Sequence, residues 1–192
     1  MDEISGMTKE QFLTPLYISS EDDVYRQAHL QSLKPIPGNT EFRFPRESHF
    51  KPHSDGLSVH WNRYISIHGV YHTIGLSFKK DTCEYKDAKS FKLFSLPVGF
   101  IRSIDGVLDI KHSPVFNGSP APIGFPNNYA HTSLLYPDDE EIRVKLSDYC
   151  KDNQEVSNCY VNFTLIDQEI IALRERLDNT EYHRLPVQGN NP

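Results

Sequence analysis

Histidine is the residue type that offers this sequence the most chemistry. Five of the nine histidines lie between residues 49 and 72, and imidazole serves both as a metal ligand and as a general acid or base near neutral pH. His49 and His53, like His68 and His72, stand four residues apart, which would place both rings of a pair on one face of a helix. Nearby prolines and β-like patterns argue against helices at both places, and no His-Glu-x-x-His motif is present. The sequence therefore predicts no metal site and no cofactor.

Three histidines are followed by a hydroxyl residue, in His72-Thr73, His112-Ser113 and His131-Thr132. Two strands of the type His-x-Ser/Thr that face each other would resemble the two-histidine phosphoesterases. In those enzymes one imidazole acts as base and the other as acid, while the hydroxyls hold the phosphate. His131-Thr132-Ser133 fits that pattern, and His72-Thr73-Ile74 departs from it because its third residue is apolar.

Ser58 lies in a sequence that begins like the nucleophile elbow of α/β-hydrolases. The run Gly56-Leu57-Ser58-Val59-His60 has a histidine where that motif needs its last glycine, which gives the sharp strand-to-helix turn its room. Ser58 is therefore expected in an ordinary strand, where it contributes to a binding surface. No phosphate-binding glycine loop is present.

A long segment rich in proline and glycine connects His112 to His131. Loops of this length without regular structure are uncommon, and they tend to form lids or binding elements. We expect residues 113–128 to fold back so that His112 and His131 become neighbours beside Trp61 and act as a catalytic pair. Two alternatives remain: a surface insertion without function, or two rings that hydrogen-bond the loop backbone.

Three short segments resemble an uncharacterised family of bacterial proteins. They are Leu57-Ser58-Val59-His60-Trp61, His112-Ser113-Pro114 and Asn128-Tyr129-Ala130-His131, within residues 56–150. No activity is established for that family. The resemblance implies a bacterial cytoplasmic protein, and it adds weight to Trp61, His112 and His131 as functional residues.

The charge balance limits the partners. The chain carries 20 lysines and arginines against 26 acidic residues, so a strongly basic nucleic-acid clamp is disfavoured. Arg63 stands next to aromatic residues, an arrangement that could bind nucleotide bases or serve as a protein interface. The N-terminus has no signal-peptide pattern and no apolar run is long enough to span a bilayer, so a cytoplasmic protein with no membrane partner is expected.

Short strands separated by turn signals, without regular alternation of strand and helix, favour an α+β fold. We expect a mainly antiparallel, twisted sheet over residues 57–136, which could extend to residues 158–165, with helices packed near both chain ends. The predicted division is an N-terminal helical or irregular segment (1–40), one α+β domain (41–185) and a flexible tail (186–192). Residues 21–33 have a weak helical spacing, and residues 71–78 are predicted to form a strand. Further helices are expected from Asp138 and over residues 167–177.

Two functional hypotheses follow from these patterns. The first is a small interaction or ligand-binding component of a bacterial multi-protein system, for example a defence or toxin-antitoxin module, with a protein partner. The second is a histidine-dependent enzyme that acts on a nucleotide or RNA phosphodiester. In that enzyme His131 would form an acid-base pair with His112 or with His72. Under either hypothesis the expected binding residues are Trp61, Ser58, Asn128 and Arg63.

Overall fold

The computed structural model describes residues 7–178, except 37, 80, 81, 83, 118, 119 and 122–127. The strands are β1 (Asp23–His29), β2 (Lys34–Ile36), β3 (Asn39–Phe44), β4 (Leu57–Trp61), β5 (Phe91–Pro97), β6 (Asp109–His112), β7 (Phe116–Asn117), β8 (Pro120–Ala121), β9 (His131–Leu135) and β10 (Asn158–Cys159). The helices are α1 (Lys9–Leu13), α2 (Ile67–Gly75), α3 (Val98–Ser103), α4 (Glu140–Asp152), α5 (Gln154–Ser157) and α6 (Phe163–Asp178).

A six-stranded sheet organises the molecule. Its order is β10-β5-β1-β4-β9-β6, and every neighbouring pair is antiparallel. Helices lie near both ends of the chain, so the predicted α+β class with a mainly antiparallel sheet is confirmed. Two small pairs lie outside the sheet: β2 with β3, antiparallel, and β7 with β8, parallel.

Each face of the sheet carries its own hydrophobic cluster. On one face, which we call the α4 face, Trp61, Phe94 and Leu134 pack with Ile142 and Leu146 of α4. On the opposite face, which we call the α2 face, Leu93 and Cys159 pack with residues of α2 and α6, namely Val70, Tyr71, Ile74, Ile166 and Ile170. Alternate residues of a strand point to opposite faces, so β5 supplies Leu93 to one cluster and Phe94 to the other.

The helix predicted over residues 21–33 is wrong, because residues 23–29 form β1 in the interior of the sheet. Val24 and Ala28 are both buried on the α4 face. A spacing of four residues brings two side chains to one side of a helix and also to one side of a strand, so this spacing cannot distinguish a helix from a strand. All seven residues of β1 pair with β5, and this pairing stabilises the strand over a helix.

The strand predicted over residues 71–78 is also wrong, because residues 67–75 form α2. Ser66 caps this helix by accepting a hydrogen bond from the backbone N–H of Gly69. Val70, Tyr71 and Ile74 then share one buried face against α6. His68 and His72 therefore do lie on a helix, contrary to the argument from their β-like context.

Most of the remaining expectations agree with the structure, with shifted bounds. The sheet expected over residues 57–136 contains β4 and β9, and the helix expected from Asp138 is α4, whose N-cap is Asp139. The helix expected over 167–177 is α6, which begins at Phe163. The predicted tail at 186–192 lies outside the described residues. Among the described residues, no helix combines the length and apolar content needed to cross a membrane.

Gly56, just before β4, allows the chain to pass close to β9. Its φ is +101°, and a Cβ there would lie 2.7 Å from the carbonyl oxygen of Leu134. We expect Gly56→Ala to lower the free energy of unfolding by about 1–3 kcal/mol or more, because it adds a backbone contact to an unfavourable dihedral. Urea unfolding measures the change.

Gly38→Ala is the matched control for this substitution. Gly38 also has a positive φ, +79°, but a Cβ there would have nothing within 4 Å. Gly38→Ala should therefore lower the free energy of unfolding only by the amount that the unfavourable dihedral causes. Equal losses of unfolding free energy in Gly56→Ala and Gly38→Ala would mean that the close approach to Leu134 adds nothing to the effect of the dihedral.

Candidate functional site

The pairing of β4 with β9 brings polar side chains together on the α2 face. His60 lies opposite His131 and Ser58 lies opposite Ser133, and directly opposed residues of antiparallel strands share a face. Lys111 of β6 lies opposite Ser133 from the other side. We call this set, Ser58, His60, Lys111, His131 and Ser133, the His60–His131 surface.

His131 is held in one tautomer by backbone. Its Nδ1 lies 2.7 Å from the carbonyl oxygen of Ser113, which can only accept, so Nδ1 carries the proton. Nε2 therefore has the free lone pair, and it lies 3.1 Å from Oγ of Ser58. The Ser58 hydroxyl donates to Nε2, which is the arrangement of a hydroxyl, a base and an orienting group.

Burial lowers the pKa of His131 below its ordinary value of 6.5, although the Ser113 carbonyl and the charge of Asp55 offset part of this effect. The ring is half-buried, while Ser58 is exposed. At neutral pH the imidazole is consequently uncharged and available to accept a proton from an accessible hydroxyl.

His60 is the second imidazole of the surface, and only 8% of its area is exposed. Its Nδ1 accepts a hydrogen bond of 3.1 Å from the side-chain amide of Asn128. Burial, followed by the neighbouring His131 and Arg26, lowers the pKa of His60 to about 3. The ring is therefore neutral with its proton on Nε2, so it presents a hydrogen-bond donor without a charge.

Arg26 fixes the backbone at Ser58. β1 and β4 pair through Val24 with Trp61 and Tyr25 with His60. Next to that pairing, Nη1 of Arg26 donates to the Ser58 carbonyl at 2.8 Å. Nε and Nη2 bind the His49 carbonyl at 2.9 and 2.7 Å. Burial lowers the pKa of Arg26 to about 10, so the guanidinium still carries its charge at neutral pH and holds three donors in place.

His112 lies on the opposite side of the sheet from His131. It pairs with Thr132 rather than with His131, so its side chain points to the α4 face, where it is 1% exposed. Its Nδ1 accepts from the Leu16 N–H at 3.1 Å, and its Nε2 donates to the Tyr129 carbonyl at 2.6 Å. Burial lowers its pKa. The geometry is that of the alternative in which the ring ties backbone segments together.

Trp61 is the last residue of β4 and Arg63 lies two residues later, but the two side chains have different environments. Trp61 is 0% exposed and packs edge-to-face on Tyr64 and on His112, with ring centroids 4.9 and 5.4 Å apart. The expected proximity of His112 and the indole is thus present, inside the core. Arg63 is exposed, and its guanidinium lies 5.8 Å from the Trp61 ring centroid.

His72 is on α2, and its Nε2 contacts Oε2 of Glu169 on α6 at 2.8 Å. The structure therefore joins it to α6 and not to His131. His68 lies one turn earlier, with its Nδ1 4.0 Å from the same carboxylate oxygen. In the part of the chain that the structure describes, no group of three or more histidine, cysteine, aspartate or glutamate side chains is arranged to hold a metal ion.

Sequence reasoning missed His60, Ser113 and Arg26 as parts of the site. For His60 a signal exists: the alternation in Leu57–Trp61 puts Ser58 and His60 on one face. Ser113 acts through its main-chain carbonyl, which every residue type possesses. Residues 21–33 were predicted to be helical, so nothing in the sequence indicated that Arg26 would contact β4.

The three segments 57–61, 112–114 and 128–131 adjoin one another at one end of the sheet. One is β4, one begins in β6 at His112, and residues 128–131 lead into β9. Both β4 and β6 pair with β9. Comparison with protein-family models, with curated proteins and with solved structures finds no match for this chain.

The buried neutral His60 should make the protein less stable in acid. The pKa of His60 is 6.5 for an unperturbed histidine, the value taken for the unfolded chain, and about 3 in the folded chain. Between these two pH values the unfolded chain therefore binds a proton that the folded chain does not. Stability therefore falls as the pH drops from about 6.5 towards about 3, by up to about 1.4 kcal/mol per pH unit for this one group.

His60→Gln, which keeps an acceptor for Asn128, should reduce that slope. The measurement is the free energy of urea unfolding of both proteins from about pH 7 to about pH 4. His112 and His131 also have lowered pKa values and contribute to the slope of both, so the difference between the slopes is the quantity to compare. Identical slopes would contradict the neutral state of buried His60.

Proposed function

We propose that this protein is an enzyme that uses His131 as a general base on a phosphoester of a nucleotide or of RNA. The observation that supports it best is the position of one imidazole between two partners. Nδ1 is bound to the Ser113 carbonyl, and Nε2 lies 3.1 Å from the Ser58 hydroxyl. A base needs a free lone pair directed at the proton it removes, within hydrogen-bond distance.

The electrostatics of His131 suit this role. Burial keeps the ring neutral at the pH where a base has to accept a proton. The hydrogen bond to the Ser113 carbonyl opposes the effect of burial, and it would stabilise the imidazolium that forms during proton transfer. The base is therefore available and correctly oriented before any substrate arrives.

The donors around His131 favour a phosphate group over an uncharged substrate. The hydroxyls of Ser113 and Ser133 lie 2.9 Å from each other. Lys111 is exposed on the same surface, and His60 carries a neutral N–H. The net charge of −6 disfavours a long nucleic acid, whose binding depends on many cationic contacts. A nucleotide or a short single-stranded segment fits better.

The partner of His131 in this proposal is His60. His112 and His72, the partners expected from the sequence, have their own contacts on the α4 face and with α6. Since His60 remains neutral, it donates a hydrogen bond to developing charge rather than transferring a proton. A neutral histidine that polarises a substrate in this way is an established use of the residue.

His131→Gln should lower kcat/KM for hydrolysis by about 10²–10⁴, because the amide cannot take up a proton. The substrates are bis(p-nitrophenyl) phosphate and the 2′,3′-cyclic nucleotides. The melting temperature should change little, and His68→Gln on α2, which replaces a partly exposed histidine away from the surface, is the control. The proposal fails if the unmodified protein turns over none of these substrates, or if the variant retains its rate.

The pH dependence of kcat/KM offers a second readout on the same proteins. Activity should rise with pH through the lowered pKa of His131, below 6.5, and then remain level to neutral pH, because His60 is already neutral above about pH 3. A bell-shaped profile with both limbs near neutrality would indicate a second titrating imidazole instead.

A protein-interaction role is the second candidate, and one observation favours it. Val156 and Tyr160 are 73% and 66% exposed, and they flank β10, which is an edge strand of the sheet. Large exposed side chains beside an open strand edge suit the addition of an extended segment from another protein. The bacterial and cytoplasmic setting, and the link to defence or toxin-antitoxin systems, remain predictions from the sequence.

Under this candidate, Tyr160→Asp should abolish recovery of a partner at fixed stoichiometry from the native host, because it places a charge in the contact. Tyr17→Asp, a change at another highly exposed tyrosine, should leave recovery intact. Recovery that is equal for both variants, or absent from the unmodified protein, would count against an interface at β10. Hydrolysis that depends on His131 should be unaffected by either change.

A further inference from the structure

Ser58 is the only partner described for Nε2 of His131, and it is also chemically capable of attack. Resting on the proposed function, we propose that Ser58 is the nucleophile of the reaction and that it carries the phosphoryl group as a covalent intermediate. The alternative attacking groups are a water molecule and the 2′-hydroxyl of an RNA substrate, neither of which would need Ser58.

The first argument is the direction of the hydrogen bond. Because Nδ1 of His131 donates to the Ser113 carbonyl at 2.7 Å, Nε2 can only accept, and the Ser58 hydroxyl must donate to it. Its proton is thus already aimed at the base, while the lone pairs of Oγ remain free for attack. An adjacent histidine base is an established way to activate a serine hydroxyl as a nucleophile.

The second argument is the rigidity of the position. Leu57 and Val59, on either side of Ser58, are buried in the α4 face. The Ser58 carbonyl is held by Arg26 at 2.8 Å, and the strand is paired with β9 through Ser133. The side chain is nevertheless exposed. An accessible nucleophile on a fixed backbone is what a covalent step requires, because small displacements of the reacting atoms cost much of the rate.

The third argument is the set of groups beside Oγ. Ser133 lies directly opposite Ser58, and Lys111 lies opposite Ser133 on the next strand. A phosphoryl group on Ser58 would therefore have the Ser133 hydroxyl on the adjacent strand and the Lys111 ammonium one strand further. Both favour the negative charge that its oxygens carry through the transition state.

The reaction has two balanced steps. In the first, Oγ of Ser58 forms a bond to phosphorus, the bond from phosphorus to the leaving oxygen breaks, and the serine proton passes through Nε2 of His131 to that oxygen. In the second, a water molecule gives a proton to Nε2 and bonds to phosphorus. The bond from phosphorus to Oγ then breaks, and Oγ recovers the proton. Water is the only additional reactant.

The test is covalent labelling of the full chain with diisopropyl fluorophosphate, in which fluoride is the leaving group. Mass spectrometry of proteolytic peptides should find the diisopropylphosphoryl group on Ser58 of the unmodified protein. The labelling rate should fall by at least about 10²-fold in His131→Gln. Exposed Ser103 of α3 is the internal control and should remain unlabelled. A label that is absent, or that lies on another serine, would overturn the proposal.

Hydrolysis by Ser58→Ala separates this proposal from the proposed function. If Ser58→Ala and His131→Gln both lose activity, both proposals are supported. If Ser58→Ala keeps its rate while His131→Gln loses it, His131 is a base and Ser58 is not the nucleophile. If both variants keep their rate, neither proposal holds. Because labelling is measured on the unmodified protein, a variant that failed to fold would not prevent the decision.

Discussion

The register between β4 and β9 is the constraint on which the arrangement of this protein depends. It places His60 opposite His131 and Ser58 opposite Ser133. A slip of one residue would turn every side chain of one strand to the other face. Gly56 lies where β4 begins, and the chain there passes so close to Leu134 of β9 that a Cβ would meet its carbonyl oxygen at 2.7 Å. The register therefore rests on close backbone packing as well as on hydrogen bonds.

Burial has the same electrostatic effect on His60, His112 and His131, and their hydrogen bonds give them different roles. Desolvation lowers the pKa of His60, His112 and His131 and keeps the rings neutral. A neutral imidazole has one donor and one acceptor. In His112 both are used by backbone, so the ring joins Leu16 to Tyr129. In His131 the donor is used by the Ser113 carbonyl and the acceptor faces a side-chain hydroxyl. In His131, unlike His112, one ring nitrogen therefore contacts a side chain that is itself exposed.

The α2 face is divided between packing and polar groups. Over β5 and β10 it is apolar and carries α2 and α6, while over β4, β9 and β6 it presents serine, histidine and lysine. The polar part belongs to strands whose opposite sides, through Val59, Leu134 and Ile110, lie in the core of the α4 face. The sheet therefore holds Ser58 and Lys111 exposed on a fixed backbone, while His60 and Ser133 are buried beside them.

The amino-acid sequence by itself determined part of the local structure of this protein. Alternation of apolar and polar residues indicated β4, the helix expected from Asp138 corresponds to α4, and short strands with turn signals indicated the α+β class. Val24 and Ala28 were misread because a spacing of four fits both a helix and a strand, and residues 71–78 were misread because a buried helix face resembles a strand over so few positions. Tertiary structure alone decided which strands pair, and hence that His131 shares a face with His60 and Ser58 while His112 faces the core. The physical reason is that periodicity depends on neighbours along the chain, whereas register, burial and the tautomer of a ring depend on hydrogen bonds between residues far apart in it.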